Sequence, residues 1–430
     1  MDIEFHYYLT YLIAARAGLP PPDALTLAWA CQYTDDNTMI CVIDAGLPTE
    51  YTNYISQTAN ILKPRRTLMR IYPLFHFLPG DPQAPTAWRK DGAMHWLNTT
   101  PGSENANLIL DAALATGDLY RIGIACHAYA DTWAHQNFVG YGHEFNAFLG
   151  PLFTAVMPNI GHADAIFSPD EATRRWRDPR LLHEPIDNQV RFLAAAAALY
   201  RKLARFVAPD LPPEELDRRA TALRDDLAWC MAGVRSADGV SAAGDAKHAA
   251  SGVRSAAAAG DGVRSFDLAS RSDAEITEGD SCSQIIEGDS CPQLKALTPE
   301  GVDPVALNAP TPDASDFPPS PDMLAARRLA RYRHLASSSS SSYGGRAIPP
   351  YDPDLWMDEA INEQVHGLRD RSDFILACLD PWPDTYTWKD RAAYRRTPWY
   401  RFQEAVKAHQ NESWQLLTDR NFLGLDLADL

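Results

Sequence analysis

One segment in the N-terminal half of the chain limits what this sequence can fold into. His127, Asp131 and His135 recur at every fourth residue within residues 126–138. On an α-helix this spacing places the three side chains along one slowly drifting stripe. The Ala and aromatic residues between them indicate a helix that is mostly buried. A buried stripe of two imidazoles and a carboxylate needs partners, which a metal ion provides; the alternative is a polar stripe on a solvated face.

The residue types in this stripe are those of a metal site. Imidazole nitrogen and carboxylate oxygen both bind Zn²⁺, and a central carboxylate can bridge two ions about 3.5–4 Å apart. Eight of the 12 histidines fall in residues 1–183, and the adjacent Asp35 and Asp36 end a predicted helix. Acidic residues at a helix C-terminus oppose the helix dipole. A bound cation would offset that cost, as would simple solvation.

Charge and composition restrict the partners. The net charge of -17 argues against long nucleic acid as the main partner and against electrostatic docking to anionic lipid. The sequence has no run of eighteen apolar residues, no signal peptide and no C-x-x-C pair among its 7 cysteines. We therefore expect a cytoplasmic protein without a transmembrane segment.

The pattern of apolar residues and of Gly and Pro predicts an all-α fold in three parts. Residues 1–231 are predicted to form a helical metal-binding domain, and residues 346–430 a set of Trp-rich helices that pack on it. Residues 232–345 are rich in Ala, Gly, Ser, Asp and Pro and are predicted to be a long, mostly disordered insertion. The predicted helices are 5–17, 24–33, 104–115, 119–138, 145–156, 186–206, 213–230, 321–335, 358–366, 371–379 and 399–418.

The sequence lacks several catalytic motifs. Glu363 and His366 form its one Glu-x-x-His pair, and a ferritin-like di-iron bundle needs two. It has no His-Asp dipeptide of the HD phosphohydrolases, no Gly-x-Ser-x-Gly elbow and no phosphate-binding loop. The histidines and aspartates of residues 1–165 therefore carry the functional signal.

The order of those residues resembles that of the zinc-dependent phospholipase C and P1-type nuclease superfamily. Residues 127–135 are most similar to the motif of zinc-dependent phospholipase C-like domains such as that of glycosylphosphatidylinositol-specific phospholipase D. Ile3-Glu4-Phe5-His6, at the start of a helix, is similar to their N-terminal ligand region. The N-terminal half also resembles an uncharacterised bacterial family with no assigned activity.

The resemblance implies a multi-helix metal-binding bundle that holds two or three zinc ions. Two ions would share His127 and Asp131, and a third would take the last histidine of the helix motif with a further histidine and an acidic residue. The implied ligands are His6, Asp36 or its neighbour Asp35, His76, His127, Asp131, His135, His162 and Asp164. Many members also use the N-terminal amine of the mature chain, whereas this sequence starts at Met1 without a leader.

The resemblance also implies a function, which is hydrolysis of a small-molecule or lipid phosphodiester by metal-activated water. Asp35 or Asp36 would orient or deprotonate that water. His76 is preferred over His95 as a ligand because its apolar, Pro-bounded segment fixes the side chain. His95, which follows a turn signal, and Trp133 are predicted to contact the substrate. The alternatives are a nuclease or nucleotidase using the same site, and a non-catalytic, metal-stabilised interaction module.

Overall fold

The computed structural model describes residues 1–58, 65–147, 159–232, 320–338, 342–364 and 384–420. These residues belong to one compact unit that is mainly helical with a small sheet. Most of the predicted insertion, the predicted helix 371–379 and most of the predicted helix 145–156 lie outside the described residues. Among the described helices, none combines the length and apolar character that crossing a membrane requires.

The helices follow the predicted order, with shifted ends in several cases. A short π-helix, Glu4–Leu9, leads directly into the first α-helix. The α-helices are α1 (Thr10–Ala17), α2 (Pro21–Asp36), α3 (Arg65–Leu68), α4 (Tyr72–Phe75), α5 (Glu104–Thr116), α6 (Leu119–Ala134), α7 (Asn188–Val207), α8 (Pro213–Ala232), α9 (Pro321–Ser337), α10 (Leu355–Ala360) and α11 (Pro398–Asp419).

Local sequence signals set most of these ends. Gly18 ends α1 with a left-handed φ of 108°, a conformation that favours glycine. The side chain of Ser103 caps α5 by accepting from the backbone N–H of Ala106. Helix α2 extends beyond the predicted 24–33, so Asp35 and Asp36 both lie in its last turn.

Helix α6 forms the centre of the unit and packs against α2, α5, α7 and α11. Gly123 allows α2 to approach closely, since a Cβ atom there would lie 2.5 Å from the carbonyl oxygen of Leu27. This helix ends at Ala134 and not at the predicted Phe138. Asn137 adopts a positive φ of 73°, which turns the chain out of the helix. His135 is therefore the residue that caps the helix.

The structure confirms a mainly helical fold and adds a small sheet to it. Its strands are β1 (Val42–Ile43), β2 (Tyr51–Thr52), β5 (Ile361–Gln364) and β6 (Thr385–Trp388), in the spatial order β2-β1-β6-β5. A separate hairpin pairs β3 (Arg175–Arg177) with β4 (Pro185–Asp187). The predicted helix 358–366 is wrong over Ile361–Gln364, because these residues pair antiparallel with β6. Residues 365 and 366 lie outside the described residues.

The C-terminal elements pack on the N-terminal helices. Helix α9 contacts α8 and the N-terminal π-helix, and α11 contacts α4, α5 and α6. Trp356, at 6% exposure, stacks on Trp29 with ring centroids 5.7 Å apart and also meets Phe402 of α11. Apolar contacts therefore extend from α2 to the last described helix.

Candidate metal centre

Five segments bring candidate ligands together around α6. They are the N-terminal π-helix, the last turn of α2, the residue after α4, α6 with its cap, and the loop between residues 159 and 174. Their side chains are, in that order, His6; Asp35; His76; His127, Asp131 and His135; and His162 and Asp170. The exposed fraction of these side chains is at most 26%, at Asp35.

Asp131 lies at the middle of the cluster, and its two oxygens face different groups. Oδ1 is 3.1 Å from His6 Nε2. Oδ2 is 3.3 Å from His76 Nδ1 and 3.2 Å from His127 Nε2. Asp35 divides its oxygens in the same way, with Oδ1 3.7 Å from His76 Nδ1 and Oδ2 3.9 Å from His6 Nε2. The two carboxylates thus span two neighbouring groups of ligand atoms. One group lies around His76 and His127, and the other lies around His6.

Backbone carbonyl oxygens accept hydrogen bonds from four of the imidazoles. A carbonyl oxygen only accepts hydrogen bonds, so the ring nitrogen facing it carries the hydrogen and the other nitrogen presents a lone pair. The four bonds are His127 Nδ1 to Cys31 O at 2.8 Å, His76 Nε2 to Ser56 O at 2.9 Å, His135 Nδ1 to His76 O at 2.9 Å and His162 Nδ1 to Ile166 O at 3.0 Å. In each case the lone pair is left for the cluster, as in ordered metal sites.

The spacing around His76 and His127 fits a tetrahedral ion. His76 Nδ1 and His127 Nε2 are 3.0 Å apart, and their distances to the nearest oxygens of Asp35 and Asp131 lie between 3.2 and 3.7 Å. Bonds of 2.0–2.1 Å in a tetrahedron place ligand atoms about 3.3 Å apart. Two lone pairs facing each other at 3.0 Å repel, and a cation between them removes that repulsion.

A third group lies beside the first two. His135 Nε2 is 2.9 Å from Asp170 Oδ1, and His162 Nε2 is 3.2 Å from Asp170 Oδ2. The α-amino group of Met1 connects this group to the centre, because its nitrogen is 2.5 Å from Asp131 Oδ1 and 3.3 Å from Asp170 Oδ1. Burial would lower the pKa of this amine, but Asp131, Asp170 and Asp35 raise it to about 11.

The cluster changes the pKa values of its members. Burial would raise the pKa of Asp131, but His135, the Met1 amine and His127 hold it well below its usual range. Burial, together with His127, lowers the pKa of His6 to about 3. The pKa of His127 shifts the other way, because burial would lower it but Asp35 and Asp131 raise it. An ionised carboxylate and a neutral imidazole are the protonation states that metal binding requires, and Asp131 and His6 are the two members shifted toward them.

Within the described part of the chain, three sets of side chains can hold a metal ion. They are Asp35, His76 and His127; His135, His162 and Asp170; and His6, Cys31 and His127. The set with Cys31 suits a metal least, because burial raises the pKa of that thiol well above its usual value and the thiolate is the binding form.

The geometry corrects two predicted ligands. Asp36 points away from the cluster and accepts from Tyr351 Oη at 2.7 Å, since neighbouring residues in a helix project about 100° apart. Asp35 occupies the ligand position instead. Asp164 lies in a short 3-10 turn, where residues two apart do not share a face. The carboxylate next to His162 is that of Asp170, which the sequence analysis missed.

The two predicted substrate contacts lie away from the candidate metal ligands. His95 Nε2 is 2.9 Å from Tyr141 Oη, and its ring packs 4.7 Å from the ring of His143. Trp133 is two residues after Asp131, which places it about 200° around α6. Its ring packs against Tyr129 and Gly102 on that other side. The position of Trp133 therefore does not support contact with a substrate at the metal ligands.

Fold and site together define a mainly helical protein with a buried cluster of histidine and aspartate side chains that can hold metal ions. Residues 1–257 match the model of a family described as a family of unknown function (DUF6765), and the chain belongs to that family. No curated protein and no solved structure matches the chain.

Proposed function

We propose that the protein is a zinc-dependent phosphoesterase of the phospholipase C and P1 nuclease type. The observation that carries the proposal is the set of Asp35, His76 and His127, whose ligand atoms lie close enough together to hold a metal ion. Asp131 Oδ2 lies 3.3 Å from His76 Nδ1 and 3.2 Å from His127 Nε2, so it is a candidate for the fourth ligand. Zn²⁺ favours tetrahedral sites built from imidazole and carboxylate ligands. The carbonyl-held imidazoles add the ordered outer contacts typical of such sites.

The bundle type is supported by the order of the ligands. His6, Asp35, His76, His127, Asp131, His135 and His162 follow the superfamily order along the chain, and all seven converge on one cluster. Convergence of residues up to 156 positions apart is not a consequence of sequence order alone. We therefore assign the cluster two or three zinc ions.

The residues of the cluster divide the chemistry between them. Bound zinc would supply the activated water, by lowering its pKa toward about 7, and would stabilise charge on the phosphorus. Asp35 is the most exposed carboxylate of the cluster at 26%, so it is placed to orient the water and accept its proton. His162 and Asp170, each at 19%, mark the side from which a phosphoester reaches the cluster. Asp131 is buried and holds the ligands together.

Hydrolysis assays test this proposal. Zinc-loaded protein should hydrolyse at least one of a chromogenic phosphodiester, a phospholipid and a nucleotide, and a chelator should abolish the activity. The substrate that is hydrolysed also distinguishes a phospholipase-like activity from a nuclease or nucleotidase activity. Bound zinc without hydrolysis of any substrate would instead favour the non-catalytic module.

A matched pair of variants tests the role of Asp35. Asp35→Asn should lower the hydrolysis rate by about 10²–10⁴-fold, because it removes the proton acceptor. It also removes a charge from a candidate metal ligand, so the rate is compared at equal zinc content. Asp36→Asn is the control, since its amide oxygen still accepts from Tyr351 and its side chain points away from the cluster. Equal rates for both variants would contradict the assignment.

A further inference from the structure

A helix beyond the matched family region holds the ligand-bearing N-terminal helix from behind. Glu4 is 3% exposed, and its carboxylate accepts from Arg328 Nε at 2.8 and 3.0 Å and from Tyr332 Oη at 2.6 Å. Arg328 and Tyr332 lie one turn apart on α9, so both reach the same carboxylate. A buried carboxylate is costly unless it is paired and hydrogen-bonded. We call Glu4, Arg328 and Tyr332 the Glu4 clamp.

The clamp acts on the helix that carries His6. Glu4 and His6 are two residues apart in the π-helix Glu4–Leu9, and residues two apart in a helix project to nearly opposite sides. Glu4 faces α9, whereas His6 Nε2 faces Asp131 Oδ1 at 3.1 Å. The position of the clamp therefore sets how far His6 reaches into the metal centre.

The segment after α9 supports the same side of the centre. Tyr7 Oη donates to the carbonyl oxygen of Pro349 at 3.2 Å. Tyr351 Oη donates to Asp36 next to Asp35, and its ring lies 5.1 Å from that of Tyr7. His6 Nε2 and Asp35 Oδ2 are 3.9 Å apart, so these contacts support two ligands that share one group.

We propose that the Glu4 clamp positions His6 for metal binding, and that Arg328 and Tyr332 are positioning residues of the centre although they lie outside the matched family region. This inference rests on the proposed function, because it requires bound zinc. It predicts a selective effect on the ion nearest His6. In the group of His135, His162 and Asp170, the two imidazoles are held instead by the carbonyl oxygens of His76, after α4, and of Ile166, in the 159–174 loop.

Chelator competition on full-length, zinc-loaded protein tests the clamp. Removing Arg328 alone would leave a buried unpaired carboxylate and risk unfolding, so the main variant is the double change Glu4→Gln with Arg328→Met. Arg331→Met is the matched control, because Arg331 lies on the same helix but donates to the carbonyl oxygen of Cys230 in α8. Arg328→Lys keeps the charge and tests rescue.

The expected result is loss of one zinc ion, or a roughly 10–100-fold weaker affinity for one ion, in the double variant. The affinity for the remaining zinc in the double variant should match that of wild type. Arg331→Met should bind all its zinc as tightly as wild type, and Arg328→Lys should retain most of the wild-type affinity. Melting temperatures of the chelator-treated proteins report any purely structural effect separately.

Two outcomes would overturn the inference. One is unchanged zinc affinity at every site in the double variant; the other is an equal loss in the double variant and in Arg331→Met, which would indicate general loosening of α9. A wild-type protein that binds no zinc would overturn the proposed function itself, so the two failures are distinguishable.

Discussion

His76 and His95 differ in which ring nitrogen carries the hydrogen, and this difference favours His76 over His95 as a candidate metal ligand. His76 donates from Nε2 to the carbonyl oxygen of Ser56, which leaves the lone pair of Nδ1 facing Asp131 at 3.3 Å. His95 Nδ1 accepts from the backbone N–H of Leu97, so the hydrogen on its ring is at Nε2, beside Tyr141. A nitrogen that carries hydrogen cannot bind a metal.

We therefore expect His76→Ala to lose metal and stability together, whereas His95→Ala keeps its metal. The first change removes a buried ligand, and the second removes a ring outside the cluster. Chelator competition and melting temperatures of both variants measure the contrast. If His95→Ala loses the metal while His76→Ala retains it, the assignment of the ligands is wrong.

At the scale of single residues, the sequence predicted which side chains a regular helix brings together. The four-residue spacing of His127, Asp131 and His135 predicted a shared stripe, and all three side chains join the cluster. The choice between Asp35 and Asp36 needed the phase of α2, which sequence alone leaves open. Asp170 follows His162 through an irregular loop, where no fixed spacing applies.

At the scale of elements, α11 supports the segment that carries His76 through a buried histidine. His409 is 0% exposed, and its Nε2 donates to the carbonyl oxygen of Leu74 at 3.1 Å. Burial lowers the pKa of His409 to about 3. Below the ordinary histidine pKa of about 6.5, the unfolded chain binds a proton that the folded chain does not.

The contribution of His409 to the stability of the metal-free protein should therefore be fully present above about pH 6.5 and be lost progressively between pH 6.5 and 3. In that range, the contribution of His409 to the free energy of unfolding falls by about 1.4 kcal/mol for each pH unit. His409→Gln keeps a donor for Leu74 but does not titrate, so its free energy of unfolding should fall less steeply with acid. Urea unfolding at several pH values, with a chelator present, measures both slopes; equal slopes would refute this account.

The ends of helices were predictable where a single nearby residue sets them. Gly18 and Ser103 gave the end of α1 and the start of α5 as the structure has them. Strand β5 was not predictable, because its partner β6 lies beyond residue 384 and local propensity does not reveal a distant strand. The end of α6 at Ala134 depends on the positive φ of Asn137, which the sequence pattern did not indicate.

At the scale of the whole molecule, the two described parts on either side of residues 233–319 contact each other directly. Arg331 of α9 donates to the carbonyl oxygen of Cys230, and α11 packs on α6. These contacts do not require the intervening sequence, whose composition predicts that it contributes little to a core.

Replacing residues 237–319 by a ten-residue Gly-Ser linker should leave folding and metal content nearly unchanged. Each doubling of loop length costs only about 0.6 kcal/mol, and a ten-residue linker spans up to about 35 Å. Melting temperature and zinc content of the shortened protein check this. Insoluble protein or a large drop in melting temperature would show that the tract stabilises the core.

The buried cluster around Asp131 should bind metal, and elemental analysis tests this most directly. Protein purified without chelators should carry two or three zinc ions per chain. Asp131→Asn should carry less, because it loses the anionic oxygens that face His6 on one side and His76 and His127 on the other. A wild-type protein with no transition metal, or an Asp131→Asn variant with the full wild-type content, would contradict the account.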